Sequence, residues 1–522
     1  MSRDTALLVG LALAFAALEL GSGWIPPYGL FHDELYYWAC AQRPGFGYVD
    51  HPPLAPWVLA AGTALLGDGR FVFGLLPALF GAGTVFLTGW MAGRLGAQRF
   101  GRLVAGLCVA VAPFMLVHFS FFSVNAIEIF FWTLASCLLL ELIRTGNQRL
   151  WLGLGAVAGI AIMNKHTFTL LAGALALGVV ATPMRARLAG RWPWIGAGVA
   201  LLLALPNLLW NFVNDWPSLA FYRSVEGEGT VATSFAEALG LQVAGMNPAA
   251  LLVWVPGLFL LLFSRAARPY RSLGIAFLIL LVVVLFSNQR RGDRIAGIYP
   301  VVLAAGGAFW DGLQSRWRRA ARRTLLVLLL ACGALVIPAT LPVLSPAQVA
   351  RYFDALLGGP PEIEAGETGH EIPQILLGRL EWERLADEVV EAWETLPRED
   401  RERAVVLAPH WLFAATVEYY GRERGLPPVV SPHNAYFYWR QAAAGRDVAL
   451  TVGIEADALS RYFANTRELG RFRCEYCANF RPDLPIQVAY GPVRPLEDLL
   501  FEWRHFARLP APALMTLRFP TR

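Results

Sequence analysis

Apolar and polar positions divide the chain near residue 345. Before that point long apolar runs alternate with short polar connections. They predict helices over Thr5 to Gly23, 71–92, 103–120, 124–143, 150–163, 167–183, 193–210, 248–264, 272–288, 296–310 and 324–344, most of them near the roughly 20 apolar residues that cross a bilayer as helix. This gives about 11 transmembrane helices. A shorter stretch, 54–67, is expected to lie in the membrane interface. The first run lacks a small-x-small cleavage site before Trp24-Ile25-Pro26-Pro27, so it reads as an uncleaved first span.

After residue 345 the pattern changes to short alternating stretches. They predict a helix at 380–396, a strand at 404–408, a helix at 411–421, strands at 448–453, 470–475 and 486–490, and a helix at 495–507, which make a small α/β domain. The expected organisation is a polytopic α-helical membrane module over 1–345, with outer loops 24–70 and 211–247, followed by a soluble α/β domain over 346–522.

Composition agrees: 56% hydrophobic and 16% charged residues exclude a soluble globular protein. The arginines recur at every second connection (Arg94/Arg99/Arg102, Arg144/Arg149, Arg185/Arg187/Arg191, Arg265/Arg268/Arg271 and Arg316 to Arg323). By the positive-inside rule those loops, and the N-terminus, are cytoplasmic, and the C-terminal domain is extracytoplasmic. The net charge of +5 therefore reflects topology and does not indicate nucleic acid. Cys474 and Cys477 are the only close cysteine pair, either a disulfide of an oxidising compartment or two thiols.

This topology gathers polar residues at the outer side. In the first loop, Asp33 and Tyr37 fall on one helical face and Glu34 and Trp38 on the next, so one carboxylate points easily into a given site. Asp50 and His51 precede Pro52-Pro53 and a helix start, whose positive end with His51 suits an anion. Lys165, the only lysine, stands beside His166 in MNKHT; it is a compact charge suited to a phosphate, or a snorkelling residue at a helix end. In NQRRGDR, Arg290, Arg291 and Arg294 form a clamp for an anionic headgroup, or one of them pairs with Asp293. Asn125 and Glu128 have the spacing of a helix-start capping pair. The loop 211–247, with Trp216, Tyr222, Arg223, Glu226 and Glu228, suits an acceptor-side loop or a plain connector, and Pro432 to Tyr436 suits a turn or a glycan contact.

In order along residues 1–345, HDELYYW, GYVDHPPL, SVNAIE, NKHT and RRGDRIAGIYP resemble the GT-C glycosyltransferases, specifically the group of protein O-mannosyltransferases and the lipid A aminoarabinose transferase (glycosyltransferase family 39). The resemblance implies transfer of one sugar from a polyprenyl-phosphate donor to a lipid, glycan or protein acceptor at the outer face of the cytoplasmic (inner) membrane, with inversion. It assigns Asp33 as general base, Glu34 as support and Tyr37 as the residue orienting the acid. His51, Lys165, His166, Arg290, Arg291 and Arg294 fall to the donor phosphate, with Asp50, Asn125 and Glu128 supporting. Bacterial relatives have an acid and a lysine before the Pro-Pro, where this chain has Asp50 and His51. No cofactor is required by this reading, although Asp33, Glu34 and Asp50 offer ligands for a divalent metal. A transporter or flippase of lipid-linked or anionic substrates is the alternative, and it predicts a site near the bilayer midplane.

Overall fold

The computed structural model describes residues 3–227, 234–286, 292–313, 316–359, 371–476 and 483–506. Two compact units result. The first comprises 1–25, 62–209 and 229–372, and the second 26–61, 210–228 and 373–522. The first loop and the stretch after residue 209 are thus grouped with the C-terminal region rather than with the apolar helices.

The first unit is helical. Among the described residues seven helices are long and apolar enough to cross a membrane: Arg3–Ser22, Arg70–Arg94, Val124–Thr145, Arg191–Val213, Arg268–Phe286, Gly292–Gly312 and Arg318–Thr340. Three bent pairs raise this to ten: Arg99–Ala110 with Pro113–Phe119, Phe168–Val180 with Pro183–Ala189, and Phe235–Gly245 with Pro248–Phe263. The expected eleventh, Leu150–Ile162, forms a helix of 13 residues, about 20 Å at 1.5 Å per residue. The stretch at 54–67 is likewise a short apolar helix, Leu54–Leu66.

The breaks are held by polar side chains. Asn247, at the bend before Pro248, donates to the carbonyls of Val111 (3.2 Å) and Leu329 (3.3 Å), and Val111 stands at the other break. This satisfies the Val111 carbonyl, freed where the ladder stops, as an apolar medium requires. The helix Tyr299–Gly312 is buried from Tyr299 through Gly307 and runs through the core. Its Tyr299 hydroxyl donates to Gln242 (2.8 Å), whose amide donates to the Gly292 carbonyl (3.1 Å). The predicted loop 211–247 is largely helix, with Pro217–Gly227 and Phe235–Gly245 inside it.

The second unit holds a five-stranded sheet: β1 (Ala404–Leu407), β2 (Val429–Val430), β3 (Val448–Val452), β4 (Phe463–Arg473) and β5 (Asp483–Pro492), in the order β2-β1-β3-β5-β4. β1 runs parallel to β2 and β3, while β5 is antiparallel to β3 and β4. β3 is buried along its whole length, and the edge strand β4 is mostly polar. That polarity is why only its end was predicted. Trp382–Glu394 shows a helical stripe, with Leu385, Ala386, Val389, Val390 and Trp393 buried. Cys474 is disulfide-bonded; Cys477 lies outside the described residues.

Candidate active site

In the second unit the first loop forms the helix His32–Ala41, packed against Trp411–Gly421 with Trp38 edge-on to Tyr419 at 5.2 Å. Its two acids have separate fates. Glu34 is 2% exposed, and its carboxylate accepts the Phe31 backbone N–H (2.7 Å), closing the first turn. The Asp33 side chain is 38% exposed and receives His32 Nε2 at 3.2 Å. Asp33 is therefore the accessible carboxylate and Glu34 the cap.

Behind this turn lies an aromatic wall. Tyr36 donates its hydroxyl to Asp50 (2.8 Å) and accepts the Ala435 backbone N–H (3.2 Å). Burial raises the Asp50 carboxyl above its ordinary value, although His51 and the Tyr36 hydroxyl pull the other way, and it raises the Tyr36 phenol well above its own. His51 is buried, with the rings of Tyr37 (4.9 Å), Tyr48 (5.0 Å) and Tyr36 (5.9 Å) around it. Its Nδ1–H donates to the Pro52 carbonyl (2.9 Å), so Nε2 carries the lone pair and faces the Cys40 thiol at 3.9 Å. The expected anion ligand thus has both ring nitrogens turned to the protein. Tyr37 packs its ring on His51 rather than standing exposed.

Arg43 makes a two-pronged ion pair with Glu418 and stacks on Trp439 at 4.4 Å; Tyr436 donates to the same carboxylate (2.5 Å). The spacing of the first loop gave no sign of this partner 375 residues away.

In the first unit Lys165 has two partners. Its ammonium donates to Asn125 Oδ1 and to Glu128 Oε2, each at 2.7 Å, and the other Glu128 oxygen accepts the Thr167 hydroxyl. The expected capping role for Asn125 and Glu128 is corrected here. Ser123 is the cap, accepting the Asn125 backbone N–H at 3.3 Å, because Glu128 is turned to the only lysine. A lysine has three donors, so one N–H of Lys165 is left beyond these two bonds. His166 Nε2 pairs with Asn207 Oδ1 at 2.8 Å. Asp293 lies 3.3 Å from His118 Nε2. Arg294 is exposed, and Arg290 and Arg291 lie outside the described residues.

Among the described residues no three His, Cys, Asp or Glu side chains are grouped to hold a metal. The suggested Asp33, Glu34 and Asp50 set is not one, since Glu34 turns back to Phe31 and Asp50 to Tyr36.

A membrane helical module with broken spans, an exposed acid in the first loop helix and a sheet-containing C-terminal region defines the GT-C glycosyltransferase fold. Similarity to known proteins agrees. The family model described as dolichyl-phosphate-mannose-protein mannosyltransferase matches residues 50–210. The lipid A galacturonosyltransferase RgtD of Rhizobium johnstonii is 31% identical over 189 residues, covering 35% of this chain and 39% of that protein. The lipopolysaccharide core galacturonosyltransferase RgtB of the same organism is 25% identical, covering 60% and 63%. The chain thus matches less than two thirds of the length of either relative. The crystal structure of ArnT from Cupriavidus metallidurans bound to undecaprenyl phosphate superposes with a TM-score of 0.59 at 15% identity, over 93% of this chain and 97% of that one. The chain is thus similar to the GT-C glycosyltransferases and shares their fold.

Proposed function

We propose that the protein is an inner-membrane glycosyltransferase that moves one sugar from a polyprenyl-phosphate donor to a lipid, glycan or protein acceptor at the outer membrane face, with inversion. Asp33 is its general base. The observation that supports this most is the split between adjacent acids: Glu34 is committed to the backbone, while Asp33 is exposed and oriented by His32.

The chemistry follows from the groups. A polyprenyl phosphate is already a leaving group and needs charge stabilisation more than protonation. An acceptor hydroxyl needs a base, which Asp33 supplies in its ionised form. On the donor side Lys165 serves the phosphate through its remaining N–H, with Asn125 and Glu128 fixing its position, and His166, Arg290, Arg291 and Arg294 add donors. His51 and Asp50 act as positioning residues through Tyr36 and Tyr37. In this reading the N-terminus is cytoplasmic and the C-terminal region extracytoplasmic.

The test is sugar transfer from a panel of radiolabelled polyprenyl-phosphate sugars in membranes with wild type or Asp33→Asn. Transfer should fall by about 10²- to 10⁴-fold, the usual worth of a general base, with donor binding kept. Equal activity in both would remove Asp33 from the mechanism. Lipid movement without transfer would favour the transporter reading.

A further inference from the structure

The second unit contains a cavity of about 360 Å³, lined by Asn214, Asp215, Pro217, Ala220, Ser224, Arg504, His505 and Phe506. Its size falls within the roughly 300–1,000 Å³ of small-molecule sites. None of these residues has a part in the chemistry above. We infer that this cavity is a binding subsite for a neutral pyranose unit of the acceptor. In naming the ligand an acceptor sugar, the inference rests on the transferase reading.

The walls are built rather than incidental. Ser224 donates to the Phe221 carbonyl (2.7 Å) and to the Phe506 carbonyl (3.3 Å), tying the Pro217–Gly227 helix to the C-terminal segment. Phe506 stacks on Tyr438 with 12° between planes at 6.2 Å, and Trp210 meets Tyr438 at 5.6 Å. Arg504 is fixed over three rings, Phe437 (5.2 Å), Phe506 (5.6 Å) and Phe501 (5.7 Å). Asp215 and Trp216 both have positive φ (62° and 55°), a conformation that Asp tolerates but a bulky residue such as Trp rarely adopts.

Charge selects the ligand. Arg504 is matched by Asp215, so the lining carries both signs and a carboxylate that repels anions. His505 donates Nδ1–H to the Trp503 carbonyl (3.0 Å), which makes Nε2 a lone-pair acceptor. Burial lowers its imidazolium to a pKa of about 4, so it is neutral at pH 7. A guanidinium donor, a carboxylate acceptor and a flat ring edge suit a polyhydroxylated ring with one apolar face. A phosphate would meet one cation and one opposing acid.

The cavity is joined to the first loop by ring contacts within the unit. His505 stacks on His433 (4.2 Å), His433 meets His410 (4.3 Å), His410 meets Trp411 (5.1 Å), and Trp411 meets His32 (6.3 Å), the partner of Asp33. A glycan held at the cavity therefore occupies a subsite removed from the reacting hydroxyl, where it affects acceptor binding more than turnover.

The test uses the full-length protein in nanodiscs, with methyl glucoside, methyl mannoside, methyl galactoside and inorganic phosphate as probes in saturation-transfer NMR and competition. At least one pyranoside should bind, and Phe506→Ala and Asp215→Asn should each weaken it about tenfold, the size of one good contact, without lowering the melting temperature. Asn tolerates the left-handed backbone at 215, so that variant tests the carboxylate and not the turn. Absence of pyranoside binding, binding untouched by both variants, or phosphate binding in place of sugar each overturns the inference. If wild type transfers sugar but Phe506→Ala leaves the acceptor KM unchanged, the cavity assignment fails and the transferase reading stands. If a pyranoside binds and is lost in the variants of a protein that transfers no sugar, the cavity stands and the transferase reading fails.

Discussion

Asp33 and Glu34 are neighbours of the same charge type, and their chemistry diverges because one carboxylate finds a backbone N–H. Glu34→Gln keeps an acceptor oxygen for Phe31 and should retain fold and transfer. Glu34→Ala leaves that N–H unpaired in a buried turn and should cost about 1–3 kcal/mol; a thermal melt of the two variants reads the difference. If Glu34→Gln abolishes transfer in a folded protein, Glu34 has a chemical role beyond the cap. Lys165 and Glu128 supply a second contrast. Lys165→Met leaves the Glu128 carboxylate without its 2.7 Å cation, and losing one partner of this part-buried pair costs about 1–3 kcal/mol. Lys165→Met combined with Glu128→Gln should recover much of that stability without recovering transfer. Recovered transfer would show that Lys165 acts through folding alone. Sequence pointed to Lys165 by its rarity, yet Thr167, Asn207 and Arg43–Glu418 gave no signal, because each is defined by its partner's position and not by a local pattern.

At the scale of elements, helices in the membrane module meet where side chains vanish. A Cβ on Gly257 would fall on the Val302 carbonyl oxygen, and one on Gly306 on that of Val253, so Leu251–Phe263 and Tyr299–Gly312 touch backbone to backbone. Close approach of this kind is what association inside a bilayer relies on, since lipid tails are as apolar as the helices. Gly306→Leu should prevent this approach and abolish folded protein in a size-exclusion assay, while Gly312→Ala, which meets nothing within 4 Å, should be neutral. A monodisperse, stable Gly306→Leu protein would show that the contact is dispensable. The apolar runs announced these helices, but the bends at 110–113 and 245–248 rested on how Asn247 reaches Val111 and Leu329.

Over the whole molecule, pH dependence follows from groups buried in the second unit. His505 titrates near 4 in the fold against about 6.5 when unfolded. The unfolded chain therefore binds more protons in this interval, and stability is lost as pH falls from about 6.5 towards 4, by on the order of 3 kcal/mol for the full shift. Asp50 has the opposite sign: its raised carboxyl costs stability as pH rises through its folded value. Melting temperatures at pH 7 and 4.5 should differ less in His505→Gln than in wild type. An identical difference in both would exclude His505 as the source.

Hydropathy alone determined that the chain is a membrane protein, which segments are helical, and that the C-terminal region mixes helices and strands, because burial in lipid or in a sheet face imposes a period on the residues themselves. The order of short motifs was also enough to point to the GT-C glycosyltransferase fold. Only the tertiary structure decided which of two adjacent acids is exposed, that Asn125 and Glu128 serve Lys165, that His51 faces inward, and that residues 214–224 share a cavity with 504–506. The Lys165 bonds and the cavity depend on groups 37 to several hundred residues apart, and no local periodicity records which distant partner satisfies a buried hydrogen-bonding group.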